Sequence, residues 1–155
     1  MKIISNMVEA HVFREADDGI EFLLLKRAEK EIYPGLWQMV TGKIKKKEKA
    51  FETVLREIKE ETGMVPLNLW VVPNINPFYS HEKDCISLLP VFAAKVNKDS
   101  VIKICDEHCE YKWVKPEDAK SLFAWPGQAR SVDIITDYFL NKLAFLNLIE
   151  IDFRI

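Results

Sequence analysis

Cysteine, glycine and net charge are all scarce in this sequence. Its 155 residues include three cysteines and five glycines, and the formal net charge is −2 at pH 7. An odd, small number of cysteines does not supply the disulfide framework of small secreted domains, and it favours a reducing, cytoplasmic environment. Because the net charge is close to zero, the molecule has no overall attraction for nucleic acid or anionic membranes, and we expect neither as a partner.

Long apolar runs are also missing. No segment approaches the roughly 18 consecutive apolar residues of a transmembrane helix, and the apolar run at the N-terminus is too short for a secretory signal. With 48% hydrophobic and 30% charged residues, the composition is that of a globular protein. The length suits a single domain, residues 1–155, that buries its own core.

The pattern of apolar residues predicts an α+β fold. Helix periodicity runs over residues 48–62 and stops at Gly63, a residue suited to a left-handed helix terminus. A short helix is predicted to open at Pro116, and a longer one to cover residues 128–146. Residues 74–83 are polar, aromatic and proline-containing, and they predict a loop. Strands are predicted at residues 7–13, 20–26, 37–41, 67–72, 86–96 and 110–114.

Three glutamates of the first helix fall on one strip of its surface. At about 100° per residue, Glu61 lies about 40° from Glu57, and Glu60 lies about 60° away on the other side. Apolar positions adjoin this strip, so the carboxylates lie beside the core. Their mutual repulsion would be offset by Mg²⁺, which takes carboxylate and phosphate oxygens as ligands. The helix by itself also fits a solvated acidic face balanced by neighbouring lysines.

A longer pattern surrounds these glutamates and covers residues 42–64. A glycine is followed after five residues by a glutamate, and after seven more by Arg-Glu, an aliphatic residue, Glu-Glu, a glycine and a second aliphatic residue. The matching residues are Gly42, Glu48, Arg56, Glu57, Ile58, Glu60, Glu61, Gly63 and Met64. Every fixed position of the Nudix box is present, and the sequence therefore resembles the Nudix hydrolases.

This resemblance implies an α/β/α sandwich with a mixed β-sheet, in which the box forms a catalytic loop–helix–loop. The metal ligands that it implies are Glu57, Glu60, Glu61 and the backbone carbonyl of Thr41. The ion would be Mg²⁺, for which Mn²⁺ can substitute. Arg56 and Glu48 match a pair that orients the catalytic helix in the family. On the helical wheel, Arg56 and Glu48 lie off the metal-binding strip, at about 260° and 180° from Glu57.

A further glutamate, Glu107, opens a Glu-His-x-x-x-x-Trp segment that ends at Trp113. The segment resembles one in Nudix enzymes related to bacterial dihydroneopterin-triphosphate and dATP pyrophosphohydrolases, where the glutamate reaches the metal centre from a loop. The resemblance implies that Glu107 serves the metal centre or the catalysis. The alternatives are Glu110 in that role, or a loop acid that is simply exposed to solvent.

Two segments before the box, residues 23–27 and 36–42, resemble the same enzymes. In those enzymes an arginine at the position of Arg27 often contacts a substrate phosphate, and an arginine fork suits paired phosphate oxygens. Arg27 equally fits a surface charge at a strand end. Trp37 fits either the core or the lining of a base pocket.

Other candidate substrate contacts are lysine and aromatic side chains. Lys43 opens the basic segment 43–49, which either adds phosphate affinity or is solvated. Phe78 and Tyr79 fit a platform for one flat base or pterin ring, with Gln38 or Asn76 at the ring edge. The alternative is that both aromatic residues pin their loop to the core.

The expected function is Mg²⁺-dependent hydrolysis of a diphosphate linkage in a nucleoside or pterin triphosphate, which gives a monophosphate and diphosphate. Cleavage of dinucleoside polyphosphates is the alternative. A non-catalytic Nudix-fold binding domain is a third, although such domains typically lose the box glutamates. The expected partner is a small nucleotide-like molecule, and the oligomeric state stays open, a homodimer included. Cys105, His108 and Cys109 do not predict a zinc site, because a structural zinc site requires four ligands, usually in paired motifs.

Overall fold

The computed structural model describes residues 1–154, and Ile155, included in the predicted domain, lies outside the described part. Within residues 1–154 the chain forms a mixed β-sheet with helices on both faces. The strands are β1 (Lys2–Ile4), β2 (Met7–Ala16), β3 (Gly19–Arg27), β4 (Trp37–Gln38), β5 (Val40–Lys43), β6 (Asn68–Ser80), β7 (Cys85–Lys95) and β8 (His108–Val114). The helices are α1 (Ala50–Thr62), α2 (Pro116–Leu122) and α3 (Pro126–Asn141), followed by a 3₁₀ segment, Leu143–Leu148.

Strand β2 connects the two halves of the sheet. It pairs antiparallel with β3 and β5, and parallel with β7. Strand β7 pairs in turn with β1, parallel, and with β6, antiparallel, while β3 pairs antiparallel with β4 and β8. The combination of parallel and antiparallel pairs confirms the predicted mixed sheet and α+β class.

Alternate side chains of the strands fill two separate cores. Val54 and Ile58 of α1 pack with Val8 of β2 on one side of the sheet, which we call the α1 face. Val132 of α3 and Phe13 of β2 pack on the opposite side, which we call the α3 face. Because helices cover both faces, the fold is the predicted three-layer sandwich.

Helix α1 is defined by local signals at both ends. Its N-cap is Lys49, whose backbone N–H donates to the side chain of Glu52 at 2.8 Å. It ends at Gly63, whose φ of 76° is accessible to glycine at little cost. The first helical residue is Ala50, so Glu48 lies in the preceding loop and not in the helix as predicted.

The predicted loop at residues 74–83 is wrong. Strand β6 continues to Ser80, and a turn follows before β7. Prolines at 73 and 77 suggested a loop, but β6 lies at an edge of the sheet, where proline is tolerated. A register shift between Val72 and Ile75 lets the strand pass Pro73. Since neighbouring residues of a strand face opposite ways, Phe78 and Tyr79 lie on opposite sides of the sheet.

Two other element boundaries differ from the prediction. The strand predicted at residues 37–41 is divided at Met39, because β4 pairs with β3 whereas β5 pairs with β2. The long helix runs from Pro126 to Asn141 and does not reach residue 146. The chain then turns back to the sheet edge, where the N–H of Ile151 donates to the carbonyl of Leu69 at 2.8 Å. Within residues 1–154, no helix is long and apolar enough to cross a membrane.

Candidate active site

Arg56 of α1 joins the loop before the helix to the carboxylates on it. Its Nε and Nη2 donate to the two carboxylate oxygens of Glu48 at 2.8 and 3.0 Å. Nη2 also donates to the backbone carbonyl of Lys43, and Nη1 to Glu57 at 2.7 Å. Hydrogen bonds from Arg56, and then from Thr53, lower the pKa of Glu48 to about 2. This bracing of the loop against α1 supports the predicted orienting role of Arg56 and Glu48.

Glu57 lies directly against β5. A Cβ atom added to Gly42 would lie 2.3 Å from Cγ of Glu57, so a residue other than glycine would displace the glutamate. Thr41 immediately precedes Gly42, which places its backbone beside the same contact. Burial raises the pKa of Glu57, while the hydrogen bond from Arg56 opposes the rise. The glycine that begins the box therefore has a steric function at this site.

Glu61 is the most buried of the helix carboxylates. Its exposed fraction is 3%, and its Oε2 atom is buried with no hydrogen-bond partner. Burial raises the pKa of Glu61 to about 9, and repulsion from Glu57 and Glu107 adds to the effect. The positive charge of Arg27 acts in the opposite direction. A buried carboxylate without a partner is costly, and such groups commonly coordinate metals or act in catalysis.

Glu57, Glu60 and Glu61 are not arranged here as a complete set of metal ligands. In residues 1–154, no three His, Cys, Asp or Glu side chains are arranged to hold a metal. Glu57 and Glu60 instead accept hydrogen bonds from Nη1 of Arg56 at 2.7 and 3.3 Å. The oxygen atoms of these carboxylates still suit a hard divalent cation. Glu61 has a buried oxygen without a hydrogen-bond partner, and the charge of Glu57 repels the charge of Glu61.

Glu107 lies in a turn just before β8 and is exposed. Its backbone carbonyl accepts the N–H of Ala28 at 2.9 Å, and its charge acts on both Glu57 and Glu61. Glu110 instead pairs with Lys26 at 3.8 Å. Lys26 also lies over the ring of Trp37, on the side of the sheet away from α1. The two placements favour Glu107 over Glu110 as the loop acid of this site.

Arg27 lies at the end of β3, and its positive charge acts on the carboxylate of Glu61. Its guanidinium donates to the carbonyl of Ile32 and lies 3.6 Å from Glu31. Trp37 packs against the α3 face with Lys112 4.3 Å above its ring. Trp37 thus lies on the face that also carries Phe78 and Asn76, whereas the charge of Arg27 acts on Glu61.

The remaining substrate candidates lie apart from one another. The side chain of Lys43 is exposed, and its carbonyl is bound by Arg56. Phe78 is 46% exposed and lies on the same side of β6 as the buried Asn76. The hydroxyl of Tyr79 donates to Asp84 at 2.9 Å. Of the two aromatic residues, Phe78 is the one that lies beside Asn76 on the α3 face.

The sequence of this chain matches one known protein family over most of its length. Residues 6–135 match the family model described as the NUDIX domain. The chain belongs to the Nudix family. It is 28% identical over 109 residues to the nucleoside triphosphatase NudI of Escherichia coli O139:H28, across 66% of this chain and 77% of NudI.

Solved Nudix structures share the fold. A C. elegans Ap4A hydrolase binary complex superposes with a TM-score of 0.72 at 20% identity, over 87% of this chain and 96% of that one. The E. coli dihydroneopterin triphosphate pyrophosphohydrolase gives 0.71 at 19% identity, over 84% and 93%. The family and the fold confirm that this chain is a Nudix hydrolase, as its box predicts.

Sequence reasoning missed a buried polar cluster on the α3 face of this Nudix fold. Glu9 of β2 is 5% exposed and accepts a hydrogen bond from the amide of Asn76. Burial raises the pKa of Glu9 to about 6, against hydrogen bonds from Asn76 and Gln128. Gly127 allows this approach, since a Cβ there would lie 2.2 Å from Asn76 Oδ1. A glutamate within the apolar run of residues 7–13 was the available signal.

Proposed function

We propose that this Nudix hydrolase cleaves a diphosphate linkage in a nucleoside or pterin triphosphate, with Mg²⁺ as cofactor. The observation that carries the proposal is the carboxylate of Glu61, which is buried, repelled by Glu57 and Glu107, and left with an unpartnered oxygen. Glu57, Glu60 and Glu61, with the carbonyl of Thr41 and with Glu107, would hold the ion. When bound, Mg²⁺ (or Mn²⁺) supplies positive charge to phosphate oxygens and to the leaving diphosphate.

The residues of the chain have distinct tasks in this reaction. Water attacks a phosphorus atom, one of its protons passes to a carboxylate, and the broken P–O bond leaves its electron pair on the departing diphosphate. Glu107 is our candidate for the proton acceptor, because it is exposed and close enough to act on the charges of Glu57 and Glu61. Arg27 would bind phosphate oxygens through its fork of donors.

A triphosphate is the proposed substrate class on two grounds. NudI, at 28% identity, is named for nucleoside triphosphatase activity. On the α3 face, Phe78 offers an exposed ring next to Asn76 and Glu9, so one flat ring could stack on Phe78 with its edge toward these polar groups. A site that hydrogen-bonds a ring edge discriminates strongly against rings that leave its polar groups unpaired.

The test is a comparison of kcat/KM for dATP, dihydroneopterin triphosphate and diadenosine tetraphosphate at equal Mg²⁺. We expect a triphosphate to be preferred, with release of diphosphate and not of single phosphates. A tenfold preference for the dinucleotide, equal to about 1.4 kcal/mol, would replace the proposed substrate class with the dinucleoside polyphosphates. Hydrolysis that persists in EDTA would contradict the metal dependence.

Phe78 and Tyr79 offer a matched pair for the base platform. They are neighbours on β6, both about half exposed, but they lie on opposite sides of the strand. Phe78→Ala should raise KM for the preferred triphosphate, because one stacked base contributes about 1–3 kcal/mol. Tyr79→Ala should leave KM unchanged. Equal effects of the two substitutions would contradict the assignment of Phe78.

A further inference from the structure

Gln38 of β4 and His108 of β8 form a buried polar contact next to Arg27. The two side chains are 8% and 4% exposed. Nε2 of Gln38 lies 2.9 Å from Nε2 of His108, and Oε1 of Gln38 lies 3.5 Å from Nη1 of Arg27. A single amide thus links an imidazole on one strand to a guanidinium on another.

The donors and acceptors of this group have one consistent arrangement. A guanidinium only donates hydrogen bonds, so the amide oxygen of Gln38 must face Arg27. The amide nitrogen then donates to His108, whose Nε2 must be the unprotonated ring nitrogen. The ring proton therefore lies on Nδ1, which is buried without a partner of its own, while both functional ends of the Gln38 side chain are used.

The group ties together two parts of the proposed reaction centre. His108 directly follows Glu107, and β3 and β8 change register so that His108 pairs with Arg27. The N–H of Ala28 donates to the carbonyl of Glu107 at 2.9 Å, so the main chain makes a second connection at the same place. Both Arg27 and Glu107 act on the charge of Glu61.

We propose that Gln38 and His108 are positioning residues that hold Arg27 and the turn carrying Glu107 in a fixed relation beside Glu61. This inference rests on the proposed function, in which Arg27 contacts phosphate and Glu107 serves the reaction. The other two partners of Arg27, Ile32 and Glu31, both belong to the loop after β3. Gln38 connects the guanidinium to the sheet, and small displacements of such a group are costly for catalysis.

The test is a double-mutant cycle with Gln38→Met and Arg27→Met. Methionine keeps the length of the Gln38 side chain and removes its hydrogen bonds. Gln38→Met should lower kcat/KM for dATP at least about tenfold in the parent chain, as loss of an orienting partner commonly does. In the Arg27→Met background the same change should lower kcat/KM by a distinctly smaller factor, because only the part of its effect that passes through the turn carrying Glu107 remains. The fall in Tm caused by Gln38→Met should be similar in both backgrounds.

A control variant separates positioning from general loosening of the core. Trp70 is buried among Phe13 and Phe139 on the α3 face, away from this group. Trp70→Phe should lower Tm without the loss of kcat/KM. If Trp70→Phe reduces activity as much as Gln38→Met at a comparable Tm, the positioning role is refuted.

Ring-nitrogen NMR gives a readout that does not depend on activity. The chain has three histidines, so assignment of the ¹⁵N signals is simple. We expect His108 to carry its proton on Nδ1, whereas a proton on Nε2 would turn the amide oxygen of Gln38 toward His108 and so refute its link to Arg27. Equal effects of Gln38→Met in both backgrounds, or an Arg27→Met variant with unchanged kcat/KM, would also overturn the inference. A parent chain without Mg²⁺-dependent hydrolysis would refute the proposed function and the inference together, whereas a fully active Gln38→Met refutes the inference alone.

Discussion

Replacing Glu61 by glutamine should make the metal-free protein more stable and the enzyme nearly inactive. The substitution keeps the shape of a side chain that is 3% exposed and removes its ability to ionise. In the parent, the carboxylate has a buried oxygen without a partner and is repelled by Glu57 and Glu107. The folded state avoids that charge only by holding a proton on Glu61, whereas the same group is solvated and ionises freely in the unfolded chain.

The size and sign of the effect follow from the pKa of Glu61. Burial raises this pKa from 4.5 to about 9, so between these values the folded chain holds a proton that the unfolded chain has released. The free energy of unfolding of the parent therefore falls as pH rises through this window, by about 1.4 kcal/mol per pH unit at most. At pH 7 the upper limit is about 3 kcal/mol, and we expect Glu61→Gln to recover about 1–3 kcal/mol.

Urea unfolding in EDTA at pH 5, 7 and 8 measures the effect, and Glu60→Gln is the control. The side chain of Glu60 is 54% exposed, so the control should change stability little at any pH. Mg²⁺ should stabilise the parent more than Glu61→Gln, and kcat of the variant should fall about 100-fold. A stability gain that is the same at pH 5 and pH 8, or one matched by Glu60→Gln, would refute the reasoning.

Two further substitutions test the geometry around Glu57 and Arg56. Gly42→Ala should lower kcat/KM about 10–100-fold, because its Cβ would lie 2.3 Å from Cγ of Glu57; kinetics equal to the parent's would contradict this contact. Arg56→Lys should lower the free energy of unfolding by about 1–2 kcal/mol, since one ammonium cannot bind both oxygens of Glu48 and the carbonyl of Lys43 together. In urea unfolding, Arg130→Lys is its control, because the side chain of Arg130 is exposed and makes no ion pair within residues 1–154; an equal loss from both would argue against a special role for Arg56.

The parts of the fold that could be predicted are those specified by local sequence. Helix α1 has an apolar face and ends at Gly63, and both features are visible in the sequence. The continuation of β6 to Ser80 depends on its position at the sheet edge, which no local pattern reveals. The division at Met39 likewise depends on which strands lie on either side. Errors therefore arose where tertiary pairing overrides local propensity.

The candidate site also combines features that local sequence predicts with features that only the tertiary structure reveals. The spacing of Glu57, Glu60 and Glu61 on a helix sufficed to predict one acidic strip, because helix geometry is regular. The burial of Glu61 and its missing hydrogen bond depend on strands that are distant in sequence. The contact of Gln38 with His108 joins residues that are 70 positions apart, and although each lies in a recognisable segment, neither segment indicates that the two side chains meet. Such contacts require the three-dimensional arrangement of β3, β4 and β8.

The metal-free protein should be most stable near about pH 6, below the optimum of its Mg²⁺-bound form. Burial lowers the pKa of His11 to about 3 and that of His108 to about 4, so their contributions to stability are lost as pH falls below 6.5. Burial raises the pKa values of Glu61 and Glu9 to about 9 and about 6, so their contributions are lost as pH rises above 4.5. Between pH 4.5 and 6 the two acids and the two histidines nearly cancel, and above about pH 6 the cost of ionising Glu61 outweighs the fading gain from the histidines, so stability should decline.

Without the ionisable carboxyl group of Glu61, the pH dependence of stability changes. In Glu61→Gln, or in the parent with Mg²⁺, His11 and His108 together outweigh Glu9, so stability should keep rising up to about pH 7. The pH of maximum Tm should therefore move upward by about one unit or more in both cases. Scans of Tm against pH in EDTA and in Mg²⁺ measure the shift for parent and variant. A maximum that stays at the same pH in all four scans would show that Glu61 carries no such cost, and would remove the main physical reason for placing the metal beside it.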